Sequence, residues 1–190
     1  MQKLKAGWIV LGIIIVVLML IIFNVVGKYN MLVTTNENID GKWSQVENNL
    51  QRRADLIPNL VETVKGYANQ EKEIFTAIAD ARSKLIGAKG VDETSKANGE
   101  LSGALSRLLA ISEAYPTLKS DQNFRALQDE LGGTENRIAI ARKDYNDAVQ
   151  LYNTTIKRFP TNLIAGSLGF DMRDYFQVEE SAKELPKVKF

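Results

Sequence analysis

The 190-residue chain has no histidine and no cysteine. Without Cys there is no disulfide framework, no thiolate nucleophile and no lipid-modified cysteine. Without His there is no imidazole base, no imidazole metal ligand and no histidine pH switch. A large excess of either charge is also missing, with 24 Lys and Arg against 23 Asp and Glu. Lys3, Lys5 and Lys28 are the only charged residues up to position 28, so the body from Tyr29 onward has 24 − 3 = 21 basic residues against 23 acidic ones. That balance lacks the basic excess of a nucleic-acid binder. There is no Walker loop, no dinucleotide fingerprint and no Glu-x-x-His spacing, and Gly87-Ala88-Lys89-Gly90 only superficially resembles a phosphate loop. This inventory assigns no catalytic, cofactor-binding or metal-binding residue. The chain reads as non-enzymatic.

What is present begins with an apolar run from Ala6 to Val26. Its first 18 residues, through Phe23, carry no polar side chain beyond the Trp8 indole. At 1.5 Å per residue the run is roughly 31 Å of helix, enough to cross a hydrocarbon core. Fifteen Ile, Val, Leu and Phe residues offset the single Asn24 near its edge. No small-x-small cleavage site follows, so the run reads as a retained span rather than a signal peptide. Lys3, Lys5 and the α-amine before it, against Lys28 and Lys42 after it, lean toward a body outside the bacterial inner membrane.

From Tyr29 the apolar pattern turns one-sided. Leu32, Ile39, Trp43, Val46, Leu50, Ile57, Leu60, Val64, Tyr67, Ile74, Ile78, Ala81 and Leu85 fall on one seam of three- and four-residue steps, with Asn36, Arg53 and Glu71 as its polar members. The seam stays in phase across Pro58, which predicts one long helix kinked there, with a chain reversal at Pro58 as the alternative. A second helix runs from Ala97 to Tyr115 and stops at Pro116. A third runs from Phe124 to Phe159 and stops at Pro160. Gly132 and Gly133 inside the third predict a close helix crossing or a bend. The expected fold is all-α: a transmembrane helix continuing into an antiparallel helical bundle, with a short docked C-terminal segment and a loose terminus. The expected divisions are 1–28 for flank and span, 29–160 for bundle and stalk, and 161–190 for the tail.

If the first helix does not fold back at Pro58, the second is too short to return to the membrane. Leu32, Ile39, Trp43, Val46 and Leu50 then lack a partner in their own chain, and the expectation is a homo-oligomer or another membrane protein covering them. Arg53, on the seam, needs an acidic or carbonyl partner, and Glu135 is the candidate for a structural ion pair, the other reading being a socket for a partner's carboxylate or an anionic headgroup. Glu135, Arg142, Asn146 and Asn153 form a stripe along the third helix that reads as a solvated, mutually paired face, with an interaction surface as the alternative.

Two long stretches carry a resemblance: YNMLV with WSQVENNLQRRADLIPNLVETVKGYANQE, ending at Glu71, and GTENRIAIARKDYNDAVQLYNTTIKRFPTNLIAGSLGF, from Gly133 to Phe170. They strongly resemble the LemA family of bacterial membrane proteins, over nearly the whole chain to the closing Val188-Lys189-Phe190. A magnetosome-membrane protein looks like a relative. The resemblance implies one N-terminal transmembrane helix, a helical-bundle body, no established activity, and membrane partners that include a metalloprotease. It also implies a cytosolic body, opposite to the charge lean. Gln70 stands where many family members have His, which puts a histidine role there in doubt. The function these readings favour is a membrane-anchored scaffold or adaptor that self-associates through its stalk. The alternative is a signalling or sensing accessory of a membrane protein or protease.

Overall fold

A computed structural model describes residues 2–68 and 70–177, the side chains of residues 2–7, 9 and 10 excepted. The fold is all-α, with five helices among the described residues: α1 Gln2–Lys65, α2 Lys72–Gly87, α3 Gly90–Ser112, α4 Pro116–Ser120 and α5 Gln122–Lys157. Two 3-10 turns follow, Thr161–Leu163 and Gly166–Leu168, and no strand occurs among the described residues. The expected loose terminus beyond Gln177 lies outside them.

The first part of α1 is exposed on all sides from Leu11 to Phe23, which is what a helix whose solvent is lipid presents. It is the one described helix long and apolar enough to cross a membrane. From Leu32 burial becomes one-sided: Leu32, Ile39, Val46, Arg53 and Leu60 recur every seven residues and are all buried, with Leu50, Ile57 and Val64 beside them.

The helix runs through Pro58 without interruption and ends at Lys65. Proline has no N–H, so the carbonyl four residues back, that of Ala54, loses its helical donor. Arg82 of α2 supplies one: its Nε donates to the Ala54 oxygen at 2.7 Å. Pro58 itself is exposed. The chain reverses between α1 and α2 rather than at Pro58, which corrects the alternative of a reversal there and the expectation of one helix running on to Leu85. The Ala68 amide closes on the Val64 carbonyl at 2.9 Å, and α2 returns along α1. Because Ile74, Ile78 and Leu85 continue the seam in phase, the sequence pattern hides the turn.

Other stops follow from chemistry already visible in the chain. Gly90 takes φ +75° at the start of α3, and Pro116 opens the one-turn α4 where a missing N–H is tolerated. Asp121 caps α5, its Oδ1 accepting the Phe124 amide at 2.9 Å. Gly132 and Gly133 make no close crossing: a Cβ on either would meet nothing within 4 Å.

Contacts divide the described residues into two compact units, 2–40 with 148–173 in one and those of 41–147 with 174–177 in the other. In the first, Tyr29 meets Phe170 edge-on at 5.6 Å between ring centroids. Gly169, at φ +78°, ends the second 3-10 turn, and the Phe170 amide bonds the Ala165 carbonyl at 3.0 Å. The second unit contains α2, packed on α3, with Leu101, Leu108, Phe124 and Ile138 among its buried core residues.

Candidate functional site

The seam positions expected to be free are not free. Leu32, Ile39, Val46 and Leu50 are buried within the chain itself, and Trp43 lies 5.3 Å from the Tyr145 ring and 6.1 Å from the Phe176 ring. The cover comes from α5, which at 36 residues is roughly 54 Å long, and from the tail folding back after it. The second helix in the sequence is too short to do this, and the longer α5 and the tail do it instead.

In the first unit the tail is pinned by polar groups. Asn153 of α5 donates to the Arg173 carbonyl at 2.8 Å and accepts the Arg173 amide at 2.9 Å. The Arg173 guanidinium reaches Asn36 at 3.3 Å and pairs with Asp40, both on α1. Burial raises the pKa of the Tyr152 phenol, which stays protonated. In the second unit Asn146 performs the same double bond on Phe176, donating to its carbonyl at 3.0 Å and accepting its amide at 2.9 Å. There the Phe176 ring packs on Trp43, and the Arg142 guanidinium lies 5.7 Å from its centroid. The Tyr145 hydroxyl donates to the Asp174 carbonyl at 2.8 Å, and the Ser95 hydroxyl donates to the Gln177 carbonyl. The stripe of Arg142, Asn146 and Asn153 is therefore a dock for the chain's own tail rather than a solvated face. Asparagines spaced along one helix face, each able to bond both edges of a peptide, are the signal that could have found it.

Arg53 is the one charged residue among the buried positions described. Its Nη1 stands 2.8 Å from Glu135 Oε2 and donates to Asn98 Oδ1 at 2.9 Å. Burial lowers its pKa and the Glu135 carboxylate opposes that, so the guanidinium remains a cation. Glu135 is half exposed, at 52 % of its side chain against 7 % for Arg53. The pair lies in an open groove of about 520 Å³ lined also by Leu60, Leu105, Leu109 and Leu131 and by Ser102, Ser106 and Gly132. Among the described residues no group of three or more His, Cys, Asp or Glu is placed to hold a metal ion. An apolar trough with one half-exposed carboxylate can seat an apolar surface and bond one cation.

Residues 42–190 match the sequence profile of the LemA family. The chain belongs to the LemA family. Among its relatives, magnetosome protein MamQ 2 of Paramagnetospirillum magneticum is 33 % identical over 185 residues, covering 84 % of this chain and 68 % of that protein. Magnetosome protein MamQ of Magnetospirillum gryphiswaldense is 30 % identical, covering 97 % and 78 %. Protein LemA of Metamycoplasma hominis is 28 % identical, covering 83 % and 73 %. The LemA profile spans the buried arginine, its groove and both tail-pinning asparagines. It begins after the apolar segment of α1, and that segment is compatible with a single-pass membrane protein.

Proposed function

We propose that this LemA-family chain is a membrane-anchored, non-enzymatic scaffold whose bundle seats an amphipathic helix of another membrane protein in the groove beside Arg53. The observation that carries the reading is the groove itself. Four leucines, two serines and a glycine line it, and Glu135 sits half exposed within it. The small residues in the lining leave room for a backbone to approach, and the half-exposed Glu135 carboxylate suits a Lys or Arg on the incoming helix. Self-association through the stalk seam loses its ground, because the chain covers that seam itself.

The test is a photocrosslinking residue at exposed Gln128 on the groove rim, compared in native membranes with one at Lys143 on α5. The reading expects a discrete adduct from position 128 alone, weakened by Leu109→Asp or Glu135→Lys. Equal adducts from both sites, or none, would sink it. A second reading, a signalling or sensing accessory, rests on Pro58 and the Arg82 bond that accommodates it. Pro58→Ala should leave a scaffold's adduct unchanged and lock a switch in one state.

Orientation is tested in the same chain. Lys96→Cys creates a lone thiol at an exposed position, whereas neighbouring Ser95 is buried and bonded to the tail. Labelling by an impermeant maleimide in cells with a permeabilised outer envelope would place the bundle outside the inner membrane, with envelope proteins as partners. Labelling only after lysis would place it in the cytosol.

A further inference from the structure

The segment that follows α5 exposes apolar side chains of a kind a water-facing loop does not ordinarily collect. Phe159 is 79 % exposed, Leu163 68 % and Met172 52 %. Its place in the fold gives the exposure a meaning. Pro160, Leu163 and Ile164 face Val17, Leu20 and Lys28 of α1 across a cleft of about 330 Å³, within one compact unit. Val17 lies eleven residues before Lys28, about 16 Å deeper along the helix. A segment that reaches the level of Val17 and Leu20 reaches the apolar run.

Two further observations fit the same surroundings. The backbone of the turn is bonded internally: Leu163 to Pro160 at 3.1 Å, Ala165 to Thr161 at 2.9 Å, Leu168 to Ile164 at 3.0 Å and Phe170 to Ala165 at 3.0 Å. Non-helical chain can enter a water-poor region only when its polar groups are satisfied in this way. Lys157 and Arg158 precede the turn, and Lys28 ends the apolar run opposite it. Cations at that level meet anionic headgroups.

We propose that the turn from Phe159 to Leu168 is a second membrane contact, an interfacial anchor that enters the leaflet in which the span ends. Acyl chains of that leaflet cover Phe159 and Leu163 and fill the cleft against Val17 and Leu20. Headgroups lie against Lys157 and Arg158. The body is thus held at two points, which restrains its tilt on the membrane.

The chain has no native thiol, so each site is reported by one introduced cysteine carrying a small fluorophore. The full chain is reconstituted in vesicles of phosphatidylcholine and phosphatidylglycerol. Asn162→Cys keeps Leu163 in place, and Leu163→Cys reports from the turn's apolar tip. Both should be quenched severalfold more by a doxyl group high on the acyl chain than by aqueous iodide. Met19→Cys reports whether the span itself is inserted, so a failure there is separated from a failure of the turn. Lys96→Cys gives the response of a watery site. With the span inserted, iodide quenching at 162 and 163 equal to that at 96 overturns the proposal. Shielding from both quenchers also overturns it, because protein and not lipid then covers the turn.

Discussion

The two units hold their stretches of tail by the same device and back it with opposite chemistry. Asn153 in one and Asn146 in the other each bond both edges of a tail peptide. Behind Asn153 stands a guanidinium shared by Asn36 and Asp40, about one-third exposed. Behind Asn146 stands a ring, Phe176, buried on Trp43. A side-chain amide fixes register, because its paired donor and acceptor match one peptide at a time. The net strength of each hold depends on what lies beneath. Burial of an aromatic ring removes a large apolar area from water, whereas an exposed ion pair gains little over its hydration.

The largest effect should come from removing the ring. Phe176→Ala is expected to cost about 3 kcal/mol, as for other buried phenylalanines, and to free the tail of the second unit. Urea unfolding in detergent measures the loss, and a cost below about 1 kcal/mol would break the contrast between the units. Asn153→Ala comes next, at about 2 kcal/mol, since a buried side chain loses two bonds and leaves the Arg173 amide and carbonyl without it. Hydrogen exchange at the Arg173 amide should accelerate while the Phe176 amide stays protected. Acceleration at both would mean that the two holds act as one.

A third capture of backbone by side chain sharpens the rule. Arg82→Met should cost about 1 kcal/mol by orphaning the Ala54 carbonyl, and almost nothing when Pro58→Ala restores a helical donor to that oxygen. Additive losses in that double-mutant cycle would show that Arg82 contributes only packing. The smallest effect is in pH. The Phe124 amide, and then the Tyr67 hydroxyl, hold the Asp121 carboxyl below its ordinary pKa. Its folded-state pKa lies under its unfolded one, so its stabilisation is complete above about pH 4 and is lost as pH falls through the folded value. Thermal melts between neutral pH and pH 3 should therefore show a decrease that Asp121→Asn reduces.

Much of this was legible from residue types. The heptad recurrence of Leu32, Ile39, Val46, Arg53 and Leu60 marks one helix face, and buried residues occupy it. Pro116 and Pro160 mark stops because a proline removes a helical donor, whereas α1 continues through Pro58, where Arg82 supplies the missing one. Arg53 was legible as a charge on an apolar seam in need of a partner, and Glu135 stands beside it. The turn after Lys65 escaped because the apolar steps stay in phase across it. A docked tail was expected, but where it docks escaped, because residues 170–177 form no regular element and have no period to read.

The sequence alone determined the local terms: an apolar run long enough for a bilayer, the helical period, the proline stops and the exclusion of thiol and imidazole chemistry. These follow from covalent structure and transfer free energies, which each residue carries wherever it lies. Tertiary structure alone decided what covers the seam, which carbonyl Arg82 satisfies and where the tail is pinned. Those depend on which distant groups meet, and a hydrogen bond or a buried ring is worth something only against the partner that folding brings to it.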